Sequence, residues 1–238
     1  MATPLPLPDL PPAAAAPGHG RFSPRQWWIS FAELIFGGFV VIAHNVYHLV
    51  PNEVPILFVA ALISFHLRDG GLRSIGFRKP ASWSITIAIA LAAAAVRILL
   101  GQFVVDPITA HFWPPAASPF RPETIAGNWK EAAQWLGIVW TFAAFGEEFS
   151  YRGYLLTRAA DLGKRSSSAY WLAALLASVL FGYGHYYKGP PGMIDSGMAG
   201  LVLAAAYLLS GRNLWVCILA HGFIDTFSVV AVFLGWAS

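Results

Sequence analysis

Seven apolar runs constrain this chain more than any other feature. They cover residues 27–50, 54–67, 83–105, 132–156, 170–187, 197–209 and 214–236. A membrane-crossing helix needs about 20 residues, within a range of roughly 17–25. The second and sixth runs are short, and either one is open to a re-entrant reading. Composition agrees with a lipid setting: 57% of residues are hydrophobic and 11% are charged, against about 25% charged in a soluble domain. Polar side chains cannot cover a globular surface here, so most of the exterior must face lipid.

The positions of the basic residues predict the topology. With seven spans and a cytoplasmic N-terminus, the inner loops hold Arg21, Arg25, Arg68, Arg73, Arg78, Lys79, Arg158, Lys164, Arg165 and Arg212, while the outer loops hold Arg121, Lys130 and Lys188. Such an excess on one side is the positive-inside pattern. Omitting the second span would move the basic stretch RDGGLRSIGFRKP outside, against that pattern. The expected fold is therefore an all-α, polytopic helix bundle of about seven spans. The first 22 residues, rich in Pro and Ala, read as an unstructured tail, with the membrane domain over 23–238. The connection DPITAHFWPPAASPFRPETIAG holds five prolines and is read as an outer loop. One cysteine, Cys217, rules out an internal disulfide, and a formal charge of +3 gives no support to a nucleic-acid partner.

Ionisable groups inside apolar spans are costly, at roughly 2.5–3.5 kcal/mol each near a helix centre on insertion scales. The fourth run carries Glu147, Glu148 and Arg152. Glu148 and Arg152 stand four apart, Glu first, the favourable order for an ion pair on one helix face. Glu147 lies about 100° around the helix and is left over. The fifth run ends in LFGYGHYY, with His185 near a membrane boundary; a satisfied interfacial histidine is the plain alternative. In the seventh run His221 and Asp225 share a face, so the carboxylate fixes the ring's tautomer or both groups hold one metal. The first run also carries Glu33, His44 and His48 near one face, but the histidines fall at its outer end, where reaching water is easy. Glu33 is expected to pair with Arg97 of the third run.

Together Glu147, His185, His221 and Asp225, on three late spans, make the acid–base or ligand set of a hydrolytic site. Other intramembrane hydrolase signatures are missing: no H-E-x-x-H, no G-x-S-G and no G-x-G-D occurs.

Three stretches in order carry a resemblance. EEFSYRG is similar to the E-E-x-x-x-R motif of the CAAX protease and bacteriocin-processing (CPBP) family, FGYGH to its F-x-x-x-H motif and HGFID to its H-x-x-x-N/D motif. They occupy residues 147–225, about a third of the chain. The family's intramembrane endopeptidases include the type II CAAX prenyl proteases. The resemblance implies that Glu147 is the catalytic glutamate, that His185 and His221 are site histidines, that Asp225 takes the Asn/Asp position, and that Glu148 and Arg152 support them. It further implies that Glu147 and His185 activate a water molecule. Asn at the last position could donate to an oxyanion, whereas an ionised Asp225 would repel one. Asp225 therefore reads better as the partner orienting His221 or as a ligand. If Glu147, His185, His221 and Asp225 hold a divalent metal, zinc is the first choice.

The expectation is a multi-pass membrane endopeptidase, in a bacterial inner membrane, opening towards the cytoplasm and acting on a peptide or protein, prenylated in the eukaryotic case. Membrane lipid is its other partner. A non-catalytic immunity or scaffolding protein of the same fold is the alternative. A proton-relaying transporter is a third reading, disfavoured because no paired, broken repeats occur. His185 lies nearer the outer side than Glu147 and His221. The three can meet only if the fifth helix starts deep, tilts or unwinds around Gly182 and Gly184.

Overall fold

Side-chain caps fix where the helices begin. In the computed structural model, which describes residues 23–114 and 122–236, helix α1 (Pro24–Asn45) starts at Ser23. Its hydroxyl accepts from the Gln26 amide, while the Gln26 side chain accepts from the Ser23 amide. This reciprocal box satisfies donors that a helix start otherwise leaves open. Asn52 caps α2 (Glu53–Arg68), Ser82 caps α3 (Trp83–Ala110), Asn128 caps α4 (129–162), Ser166 caps α5 (Ser167–Tyr183) and Asn213 caps α7 (Leu214–Phe233). Helix α6 (Gly189–Leu209) has prolines in its first turn instead, where a missing N–H costs nothing.

Among the described residues all regular structure is helical. The seven long helices coincide with the seven apolar runs, with altered ends. The sixth helix begins at Gly189, eight residues before its run, because Pro190 and Pro191 start a helix as readily as they end one. Helix α3 extends through Asp106–Ala110 into the stretch expected to be loop. Pro107 cannot donate to residue 103, and the helix absorbs this in a π-helical turn at Gly101–Val105. A single helical turn, Pro122–Ile125, follows. The expected tail over 1–22 lies outside the described residues.

Four helical stretches, Pro24–Asn45, Trp83–Ala110, Tyr186–Leu209 and Leu214–Phe233, are long and apolar enough to cross a membrane, and α5 is a shorter apolar helix. Their outward faces are apolar, with Phe39, Ile85, Leu99 and Leu172 all exposed, as is Ile63 of α2. The chain is thus an integral membrane protein, all-helical over the described residues.

Connections gather at two ends. At one, Asp69 bridges Arg158 and Arg165, both at 2.6 Å, and the Trp27 indole donates to the Leu162 carbonyl at 3.1 Å. Tyr207 donates to the Ile75 carbonyl at 2.9 Å, Leu214 N–H to that of Gly76 at 3.3 Å, and Arg212 to the Tyr170 hydroxyl. Gly76 has φ +80 and lies against the Arg212 carbonyl, a place no side chain could occupy. These contacts collect most of the basic residues at one end. At the other, His44 pairs with Glu53 at 3.2 Å, and a cavity of about 410 Å³ is lined by Asn45, His48, Tyr186, Tyr187 and Pro190 among others.

Helix α4 is the central element. From Glu148 to Asp161 nearly every residue is buried, including Phe149, Tyr151, Tyr154, Leu155 and Leu156. Around them pack Leu57 and Phe65 of α2, Phe181 of α5, Tyr207 of α6 and Cys217 of α7. Between helices in lipid such side chains hold by close van der Waals packing and not by leaving water. The core therefore fixes α4, and with it Glu147 and Glu148.

Candidate active site

The two glutamates stand in an unusual stretch of helix. Val139–Glu147 and Phe149–Leu155 are π-helical, one run on each side of Glu148. Such wide turns are rare and recur at functional sites. Widening redirects side chains without breaking the rod.

Glu148 is completely buried. Its Oε1 accepts from Arg152 Nη1 at 2.8 Å and from His221 Nδ1 at 2.7 Å. Arg152, also buried, donates to the Gly200 carbonyl at 3.1 Å and lies over the Phe181 ring at 4.4 Å. A carboxylate can only accept, so the His221 proton facing it resides on Nδ1. Its Nε2 is 3.5 Å from Asp225 Oδ2. His221 thus spans two carboxylates, and its orientation is fixed from both sides.

Glu147 differs. Its carboxylate makes no hydrogen bond or ion pair with any described residue, and its Oε2 is buried. His221, Asp225, Glu53 and Glu148 are the charged groups acting on it. The expected division, one glutamate paired and one left over, is what the structure shows.

His185 reaches the site because α5 stops. The helix ends at Tyr183, Gly184 (φ −59, ψ −12) closes its last turn, and Tyr186–Lys188 form a 3₁₀ turn. The unwinding falls at Gly184. His185 Nδ1 faces the Phe181 carbonyl at 2.9 Å. A carbonyl only accepts, so Nδ1 carries the proton, leaving the lone pair of the neutral ring on Nε2. Phe181 joins the histidines: its ring is 4.8 Å from His185 and 6.1 Å from His221. Phe181 is the first residue of the FGYGH stretch, but its place there does not reveal this bridging position. Lys188 follows in the same turn, with the charges of Glu147, Asp225 and Asp195 acting on it.

Two expectations are corrected. Glu33 does not meet Arg97. It pairs with Arg68 at 2.9 Å and Arg158 at 2.7 Å, at the basic end of the bundle, while Arg97 pairs with Asp195 of α6 at 2.6 Å. Asp195 precedes the apolar run that marks its helix, so no pattern in the sequence points to it. Glu33, His44 and His48 do not gather, since His44 bonds the Val50 carbonyl and pairs with Glu53. Val54, at the start of α2, lies against Gly146, and α5 ends and α6 begins beside the site. From Glu147, α4 runs fifteen more residues to Leu162, roughly 20 Å at about 1.5 Å per residue with the π turns shorter. The other end of α4, at residue 129, is eighteen residues away, so Glu147 stands near the middle of that helix.

The donor set does not make a metal cage as it stands. Among the described residues no group of three or more His, Cys, Asp and Glu side chains is arranged to hold an ion. Glu148 and His221 Nδ1 are already engaged with each other.

Residues 129–227 match the family model described as Rce1-like, type II CAAX prenyl endopeptidase Rce1-like. The match contains all three motifs and every candidate site residue, so the resemblance read from the motifs is borne out over this segment. No curated protein and no solved structure matches the chain. The family is one of proteases, acting on peptides or proteins in membranes.

Proposed function

From that match and this geometry we propose that the chain is an intramembrane endopeptidase in which Glu147 activates water. The observation that carries the reading is the unequal fate of adjacent carboxylates. Glu148 is committed to Arg152 and His221, while Glu147 has no partner among the described residues and lies within electrostatic reach of His221 and Asp225. An unpaired buried carboxylate costs free energy, and a water nucleophile gives it work to do.

Glu147 takes a proton from water as the water oxygen bonds to the peptide carbonyl carbon. His185 Nε2, with its free lone pair, holds the second water hydrogen and sets the direction of attack. His221, clamped by Glu148 and Asp225, keeps positive charge near the developing negative charge. On collapse, the C–N bond breaks and the amine nitrogen takes the proton held by Glu147. Asp225 positions His221 and, as a carboxylate, donates nothing to the substrate oxygen.

Seven alternating helices with the N-terminus on the basic, cytoplasmic side account for the sorting of the connections to two ends. In that orientation the helix ends beside the site, those of α2, α5 and α6, face the extracytoplasmic side, and entry from there is proposed in place of the cytoplasmic opening expected from sequence. A bacterial inner membrane is the proposed location, and a prenylated C-terminal peptide is the first substrate class to offer.

The test is purification in detergent, then incubation with a peptide library and prenylated peptides, wild type beside Glu147→Ala. Cleavage by the wild type alone supports the reading. Products that accumulate equally with both proteins, or with neither, contradict it.

A further inference from the structure

The proposed reaction creates an oxyanion, and Asp225 takes the motif position at which an Asn amide could donate to it. An ionised carboxylate cannot donate a hydrogen bond. A donor must come from elsewhere; the Ser150 and Tyr151 hydroxyls of α4 are both buried without a partner among the described residues, and Tyr151 is the one packed against Phe181 and Gly184.

Tyr151 is four residues after Glu147 on α4 and 1% exposed. Its hydroxyl is buried and makes no hydrogen bond. The ring packs edge-on against Phe181, centroids 5.0 Å apart, the ring that also touches His185 and His221. The hydroxyl lies against the backbone just before His185: a Cβ on Gly184 would come within 2.8 Å of it. Glu53, Glu147 and Arg152 are the charges acting on it. Leaving a buried hydroxyl unpaired costs about 1–3 kcal/mol, and phenylalanine would fill the same space without that cost. The hydroxyl therefore points to something that binds there and accepts a hydrogen bond.

Building on the endopeptidase reading, we infer that the Tyr151 hydroxyl donates to the carbonyl oxygen of the scissile peptide bond and holds the oxyanion of the tetrahedral intermediate. As water adds to the carbonyl carbon, the C=O π pair becomes the third lone pair on oxygen. Tyr151 donates to that oxygen and keeps its proton throughout. When the C–N bond breaks, the pair returns to the carbonyl and the nitrogen takes its proton from Glu147, so Tyr151 ends the cycle unchanged. The neutral hydroxyl replaces the amide that Asp225 lacks.

The experiment compares wild type, Tyr151→Phe and Asp225→Asn/Tyr151→Phe on a peptide the wild type cleaves, with thermal unfolding in detergent measured alongside. Removing one oxyanion donor typically lowers kcat by about 10²–10³-fold. The expected result is such a loss in Tyr151→Phe at unchanged KM and an undiminished unfolding temperature. Partial recovery is expected in the double variant, where the amide restores a donor. A Tyr151→Phe protein with wild-type kcat would overturn the inference and leave the endopeptidase reading standing. Loss of activity together with a fall in unfolding temperature would overturn it in favour of packing. A wild type that cleaves no peptide would sink both.

Discussion

Glu148 Oε1 accepts from both Arg152, at 2.8 Å, and His221, at 2.7 Å. One oxygen thereby ties the fourth helix to the seventh at the centre of the bundle. This relationship separates the two glutamates into a structural and a chemical role, and variants can tell them apart.

Glu148→Gln leaves Arg152 buried against a neutral amide and frees His221 to turn. Breaking a buried pair from one side costs about 3–5 kcal/mol. We expect Glu148→Gln to lower yield and unfolding temperature in detergent, and Glu147→Gln to leave both near wild type. Equal destabilisation of the two proteins would show that the division of roles is wrong.

The basic end of the bundle should respond to acid. Burial pushes the Asp69 carboxyl up, but Arg158 and Arg165, each at 2.6 Å, outweigh it and hold it below its ordinary value of 3.8. The folded-state value lies below the unfolded one, so the stabilisation is complete above about pH 4 and is lost as pH falls through the folded value. Unfolding temperature should therefore drop below about pH 4 in the wild type, and less steeply in Asp69→Asn. At neutral pH Asp69→Asn should cost on the order of 1.5–3 kcal/mol, as hydrogen bonds to charged groups do. Parallel acid profiles for the two proteins would remove Asp69 from the account.

Topology can be read by labelling. Lys79 lies in the basic loop between α2 and α3 and Lys130 at the start of α4; both are exposed, while Cys217 is buried. A membrane-impermeant maleimide on intact cells should modify Lys130→Cys and spare Lys79→Cys. The reverse pattern would turn the molecule over and put entry to the site on the cytoplasmic face.

The metal reading is tested on Asp225. If Glu147 and His185 work through water alone, chelators leave cleavage unchanged and Asp225→Asn stays active with no bound metal. A chelator-sensitive wild type whose metal content falls in Asp225→Asn and His221→Ala would establish the ligand set instead.

Much of this site is legible in the sequence because helical spacing is local information. The i, i+4 offsets alone pair Glu148 with Arg152 and His221 with Asp225, and the apolar runs locate seven helices. What spacing does not carry is information between helices. Nothing near Arg97 indicates Asp195, which is 98 residues away. Nor does any local pattern show that His221 lies against Glu148. The π-helical turns of α4 leave no periodic signature, since the stretch is apolar on every side. The Pro190–Pro191 pair does carry a usable signal, prolines at a first helical turn, but the same pair is equally compatible with a loop. Tyr151 has no sequence signal of its own, because only packing shows its hydroxyl to be unpaired.

The most direct measurement is the initial rate of peptide cleavage by Glu147→Gln relative to wild type, in the same detergent, with matched unfolding temperatures. The account predicts a loss of at least about 10²–10⁴-fold, the usual contribution of a general base, with stability unchanged. A stable Glu147→Gln protein cleaving at the wild-type rate would contradict it.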